Sequence, residues 1–232
     1  MDNLQKTIVI GIDSGCWEYI NPLLEKDRLP NIKQLVQNGS HGILKSTIPP
    51  VSPAAWSSFI TGKNPGKHSI FDWWYKDENK FRPTLSTDRK GTPFWKYLNL
   101  KGIRTGIMNI PLTYPPDKVD GFFICGFEYL DVSKNLPKTF PKDLHSYLDY
   151  KYGRSWSKLP SFSLLKEQKN NSIQRFLKLY ESHEDTLTTI AIDLMQKYNV
   201  SMFAINYMIL DHFNHLVKDY VLVEKALEII QG

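Results

Sequence analysis

The run TIVIGI, Thr7 to Ile12, constrains this chain more than any other stretch. It is short, almost continuously apolar and rich in β-branched residues, so it reads as a strand buried on both faces, as in a parallel sheet. SMFAINYMIL, from Ser201 to Leu210, has the same character, and IRTGIMNI and GFFICGF are two further strands. GILKSTI, ending at Pro49-Pro50, reads as another. Helical patterns lie between them. Ile20, Leu23 and Leu24 suggest one helix; Pro30 opens a second, with Ile32, Leu35 and Val36 on one side and Gly39 as its stop. AAWSSFITG predicts a third, and Thr92-Pro93 a fourth that Gly102 ends. Ser182 and Asp185 resemble a capping box ahead of Leu187, Ile190, Ala191, Leu194, Met195 and Tyr198, spaced for one helix face. A last helix is expected from about Lys218 to Gln231. Strands alternating with helices give an α/β fold with a mostly parallel sheet flanked by helices. Lys76 to Arg89 reads as a polar loop. Tyr129 to Asn170 has weak periodicity and reads as a small irregular cap insertion, which divides the chain into 1–128, 129–175 and 176–232.

Bulk properties remove several classes of function. With 41% hydrophobic and 13% aromatic residues, the chain can bury a globular core. Its 29 basic and 24 acidic side chains leave +5, a mild preference for anions without the basic runs of a nucleic-acid binder. Cys16 and Cys125 form no CxxC spacing, which argues against a disulfide framework and for a reducing compartment. The N-terminus shows no signal-peptide pattern and no apolar window reaches bilayer length, so the expectation is a cytoplasmic protein without a membrane segment.

Two strands end in aspartate, Asp13 and Asp211, and ligands gather at the carboxyl ends of strands in open α/β sheets. Each residue could equally form a turn or cap a helix. His215 lies one helical turn beyond Asp211, and a carboxylate with an imidazole at that spacing suits zinc or manganese; His212 points elsewhere. PPVSPAAWSSFITGKNPGKHSIFDWW holds four serines. Ser52 precedes Pro53 in a fixed, non-helical backbone just ahead of a helix, where it is either an exposed nucleophile or an N-cap. Ser57 and Ser58 fall inside that helix, and Ser69 in the turn beyond it. GKNPGKHS is one residue short of a phosphate-binding loop and puts His68 where a magnesium-binding hydroxyl belongs, which excludes that motif. Lys63, Lys67 and His68 then form either a basic loop beside an anion site or a solvated turn.

Taken together, IVIGIDSGCWEYINPLLEKDRLPNIKQLVQNGSHGILKSTIPPVSPAAWSSFITGKNPGKHSIFDW, GTPFWKYLNLKGIRTGIMNIPLTYPP and DHFNH resemble the type I phosphodiesterase/nucleotide pyrophosphatase family of the alkaline phosphatase superfamily. The resemblance implies an alkaline-phosphatase-like fold and a hydrolase of phosphate diesters or nucleotide pyrophosphates using two divalent metal ions, zinc or alternatively manganese. It implies Asp13 and the nucleophile Ser52 on one metal and Asp211 and His215 on the other; Lys63, Lys67 and His68 are substrate-binding candidates only on the basic-loop reading. The sulfatase branch is excluded, because Pro53 follows Ser52 directly and Trp56 stands where that branch has arginine. The family's phosphate-binding asparagine has no counterpart, its place falling near Trp73. The family pattern also continues with an Asp-His pair and a further His, so the chain is expected to be truncated at its C-terminus. An exposed sheet edge that could support a homodimer follows from that. The implied partner is a small phosphate-ester or nucleotide-like substrate, with no nucleic-acid polymer. The alternatives are a phosphomutase or phosphotransferase of the same superfamily, and a non-catalytic anion-binding remnant.

Overall fold

The structure, a computed structural model, describes residues 6–78, 80–126, 137–160, 172–216 and 220–231. Its first half runs β1 (Thr7–Ile12), α1 (Trp17–Glu25), α2 (Pro30–Asn38), α3 (Ser52–Thr61), α4 (Pro65–His68), β2 (Trp74–Asp77), β3 (Lys80–Pro83), a 3-10 turn (Ser86–Asp88) and α5 (Phe94–Leu100). Then follow β4 (Thr105–Ile110), β5 (Gly121–Cys125), β6 (Thr139–Phe140), α6 (Leu144–Tyr152), α7 (Ser172–Lys197), β7 (Met202–Tyr207), α8 (Ile209–Leu216) and α9 (Tyr220–Gln231).

Five strands form one sheet in the order β1-β7-β4-β5-β6. β4 is parallel to both β5 and β7, and β6 is antiparallel to β5. Thr7 N–H donates to Ser201 O at 2.8 Å and Asp13 N–H to Tyr207 O at 3.0 Å, an equal advance on both chains that makes β1 parallel to β7. The α/β reading therefore holds.

Several local expectations do not. β1 is an edge strand of the described sheet, with Ile8 52% and Ile10 59% exposed, not a strand covered on both faces. Its composition matches that of the buried β4 and β5, because a continuous apolar run reports strand propensity without reporting how many neighbours the strand has. GILKSTI forms no strand; Ile43 and Leu44 lie exposed in irregular chain, where no neighbouring strand supplies a ladder. The polar loop contains an antiparallel hairpin, β2 with β3, tied down by a bidentate Arg82–Asp88 pair at 2.7 Å for each bond. Ser182 lies within α7 instead of capping it, because Phe176 and Tyr180 carry the apolar stripe upstream of Leu187, Ile190 and Leu194. In the region read as an irregular insertion, the described residues contain β6 and α6; 127–136 and 161–171 lie outside the described residues.

The chain packs as two compact units. One comprises Met1–Gly11, Lys45–Lys151 and Ala191–Asn206. Its core joins Ile60, Trp95, Ile107, Ile110, Phe123 and Ala204, with Phe94, Trp95 and Phe123 meeting edge to face. Gly121 opens β5 at φ +136°, where a Cβ would come 2.0 Å from Thr105 O. The other unit comprises Ile12–Leu44, Tyr152–Ile190 and Tyr207–Gly232. Leu23, Leu29, Phe176, Tyr180, Leu210 and Phe213 fill its core. Lys26 and Arg28 reach Glu224, and Arg28 also Glu228, fastening α9 to the turn that follows α1.

Candidate functional site

In the second unit, β1 gives way to a tight turn in which Gly15 N–H returns to Ile12 O at 2.9 Å and Ser14 takes a left-handed φ of 61°. That turn buries Asp13, 7% exposed, and aims the Ser14 hydroxyl across at the next strand's outlet. There α8 starts two residues after β7. Asp211 lies in its first turn and His215 in its last, the placement that each charge type favours along a helix dipole. Ser14 Oγ donates to Asp211 Oδ1 at 2.6 Å, and His215 Nε2 lies 3.6 Å from the same oxygen. Asp13 and Asp211 thus follow the carboxyl ends of adjacent parallel strands, and His215, mostly exposed, adds an imidazole facing the carboxylate.

The same unit holds a polar cluster, partly buried, that the sequence reading did not single out. Tyr180 Oη is hydrogen-bonded to His212 Nδ1, and burial pushes the His212 and His183 pKa values down to about 4, so both rings are neutral at ordinary pH. Glu184 is 4% exposed and its Oε2 has no hydrogen-bond partner. Burial, with Asp185 beside it, pushes the Glu184 carboxyl up to about 8. Thr188 Oγ1 meets Tyr207 Oη at 2.7 Å, and burial raises the tyrosine pKa. Position 184 is four residues after Tyr180 and three before Leu187, so helical periodicity alone sends it inward. Ser14 had a signal too, as the middle of an Asp-Ser-Gly turn closing an apolar strand.

The remaining candidates belong to the first unit. Ser52 is half-buried and is the first residue of α3; Val51 is the N-cap, and Pro53 suits the first helical turn. Ser57 is sealed inside with an unpartnered Oγ. Lys63 and Lys67 are exposed, whereas His68 is fully buried. Ile70 N–H donates to His68 Nδ1 at 3.1 Å, which requires that nitrogen to be unprotonated. The proton of the neutral ring is therefore on Nε2, which faces Ser58 Oγ at 3.0 Å as a donor. Burial lowers the His68 pKa, a bond to the Ala54 backbone opposes this and the Arg89 charge adds to it. His68 thus braces its loop against α3 and gives Ser58 no base.

Whether these side chains suit a metal can be asked of the donors themselves. Carboxylate and imidazole are the right types for zinc or manganese. Among the described residues, however, no three His, Cys, Asp or Glu side chains gather into a group that could hold a metal ion. Among these residues Asp211 and His215 are a two-donor pair.

The sequence profile of one family, described as type I phosphodiesterase / nucleotide pyrophosphatase, matches residues 7–229. No curated protein matches. Among solved structures, the fold is similar to phosphonoacetate hydrolase from Sinorhizobium meliloti 1021. In complex with phosphonoacetate the TM-score is 0.62 at 13% identity, covering 98% of this chain and 51% of that one. In complex with phosphonoformate the TM-score is 0.57 at 12% identity, with the same coverage of 98% and 51%. The chain spans about half the length of either, and at such identities the likeness speaks to the fold alone.

Proposed function

This chain belongs to the type I phosphodiesterase/nucleotide pyrophosphatase family, and from that membership we propose that it carries a hydrolytic site for phosphate diesters or nucleotide pyrophosphates in which Ser52 is the nucleophile. The observation that carries this reading is the continuous family match across residues 7–229, which passes through Asp13, Ser52, Asp211 and His215. Ser52 opens α3, so a phosphate drawn to its hydroxyl would meet the partial positive charge of the first-turn amides. Ser52 Oγ would form a bond to phosphorus while the leaving oxygen departs with its electron pair and takes up the serine proton. Water would then cleave the resulting seryl phosphodiester, restoring the serine hydroxyl and releasing the phosphate monoester. Asp13, Asp211 and His215 are the proposed metal ligands, for zinc or manganese. Such a cation, when bound, supplies Lewis acidity that favours the serine alkoxide. Because the described donors are incomplete, no step is assigned to it. Lys63 and Lys67 offer exposed positive charge for the substrate, while His68 would act only by holding their loop.

The test uses the 232-residue chain loaded with zinc or manganese and given bis(4-nitrophenyl) phosphate. Turnover, loss of turnover in Ser52→Ala, and a peptide carrying a 4-nitrophenyl phosphate ester on Ser52 after acid quench are expected; Asp211→Asn should lower the metal stoichiometry. A second reading, a non-catalytic anion binder, draws support from the absence of a three-donor group among the described residues. A metal-loaded chain that turns nothing over would leave that reading standing. A phosphotransferase would show itself by turnover that depends on an added alcohol.

A further inference from the structure

Arg89 is 9% exposed, and among the described residues no other lysine or arginine is buried. Its guanidinium makes one hydrogen bond, from Nη1 to Leu112 O at 2.9 Å, and sits 6.0 Å from the centre of the Trp95 ring. Among the described residues no carboxylate forms an ion pair with it, although the Asp117 charge is near enough to favour its charged form. The preceding Asp88 is turned to Arg82, and Asp117 is held by Trp95 Nε1 and Lys96 Nζ, each at 3.0 Å. Removing a cation from water is unfavourable unless it is paired, and here burial outweighs the Asp117 charge that opposes it, so the pKa is pushed down to about 10. Further positive charge gathers here. Lys90 follows directly and its N–H donates to His68 O at 2.9 Å, joining this segment to the 63–68 loop. A Cβ on Gly91 would lie 3.1 Å from Lys63 Nζ. Lys63 and Lys90 are exposed and make no ion pair among the described residues.

We propose that Arg89, Lys63 and Lys90 form a binding site for a small oxyanion of the phosphate class. The uncommitted N–H groups of the guanidinium take two of its oxygens, and the lysines supply charge from the rim. The ligand provides the direct ion pair that Asp117, held by Trp95 and Lys96, does not make with Arg89. The site does not rest on the chemistry proposed for Ser52.

The Trp95 indole N–H, close to Arg89 and bonded to Asp117, is the reporter. The whole chain is titrated with inorganic phosphate at constant ionic strength, following that signal by 15N-edited NMR, with sodium chloride as the control. A saturable shift is expected with phosphate and none with chloride. Lys63→Ala with Lys90→Ala should weaken binding by about tenfold, Arg89→Gln should abolish it, and Ser52→Ala should leave it unchanged. A linear response matching chloride overturns the proposal, as does equal affinity in Arg89→Gln. Should that variant fail to fold, unchanged affinity in the double-lysine variant overturns it instead. Loss of binding in Ser52→Ala would put the anion at Ser52 and also refute the Arg89 site. Inactivity of the metal-loaded chain, by contrast, bears only on the proposed hydrolysis.

Discussion

Replacing Glu184 by methionine should stabilise this protein, and by more the higher the pH. The carboxyl lies on the buried stripe of α7 with one oxygen unpartnered, and its pKa stands at about 8 against an ordinary 4.5. A raised carboxyl pKa means that the folded state keeps a proton the unfolded chain releases. The associated stability is whole below the unfolded value and declines as pH climbs toward the folded one. Between about pH 5 and about pH 7 the unfolded carboxyl ionises while the folded one does not, a difference of about 2.5 kcal/mol at ~1.4 kcal/mol per pKa unit. Methionine is close in volume, carries no proton to lose and leaves the Thr188–Tyr207 bond in place. His183 and His212 push the pH dependence the opposite way, so the informative quantity is variant minus parent, in which they cancel. Urea unfolding at both pH values should give a difference that grows by about 2.5 kcal/mol. A difference that stays flat would mean that Glu184 is already ionised in the folded protein, and the reasoning fails.

On the acid side, His183 is held neutral by burial with a pKa of about 4 instead of 6.5, so its contribution is complete above 6.5 and lost as pH falls toward 4. His183→Gln should flatten that decline in urea midpoints, and parallel declines in both proteins would refute it. Gly121→Ala would drive a methyl into Thr105 O at a φ that alanine avoids, and should destabilise by about 3 kcal/mol or more, read from thermal melts; a loss under ~1 kcal/mol would mean that the β4–β5 junction yields easily.

The α/β class was legible because short apolar runs and helical periodicity are local properties, and both survive in Thr7–Ile12, Thr105–Ile110 and Met202–Tyr207. What stayed hidden was relational. β1 carries the same kind of sequence as a central strand, yet it lies at the edge of the described sheet and the face that Ile8 and Ile10 share is exposed. Asp211 with His215 could be read from helical spacing, whereas Ser14 reaches Asp211 across 197 positions, a separation that no local pattern encodes. Ser182 misled because a capping box is a statement about two residues, and the apolar stripe through Phe176 and Tyr180 outweighs it. Arg89 escaped notice because nothing in Asp-Arg-Lys-Gly says which cation turns inward.

The orientation of the His68 ring matters to anyone probing this chain with reactive phosphorus reagents. Fluorophosphonates select serines whose hydroxyl is stripped of its proton by a neighbouring imidazole, and Ser58 with its histidine at 3.0 Å looks at first sight like such a target. The bond from Ile70 N–H polarises the ring backwards, so Ser58 receives a hydrogen where a nucleophile would give one up. Ser58 should therefore stay silent toward these reagents, and any adduct on the folded chain would map to a different hydroxyl, free of the background this pair would otherwise create.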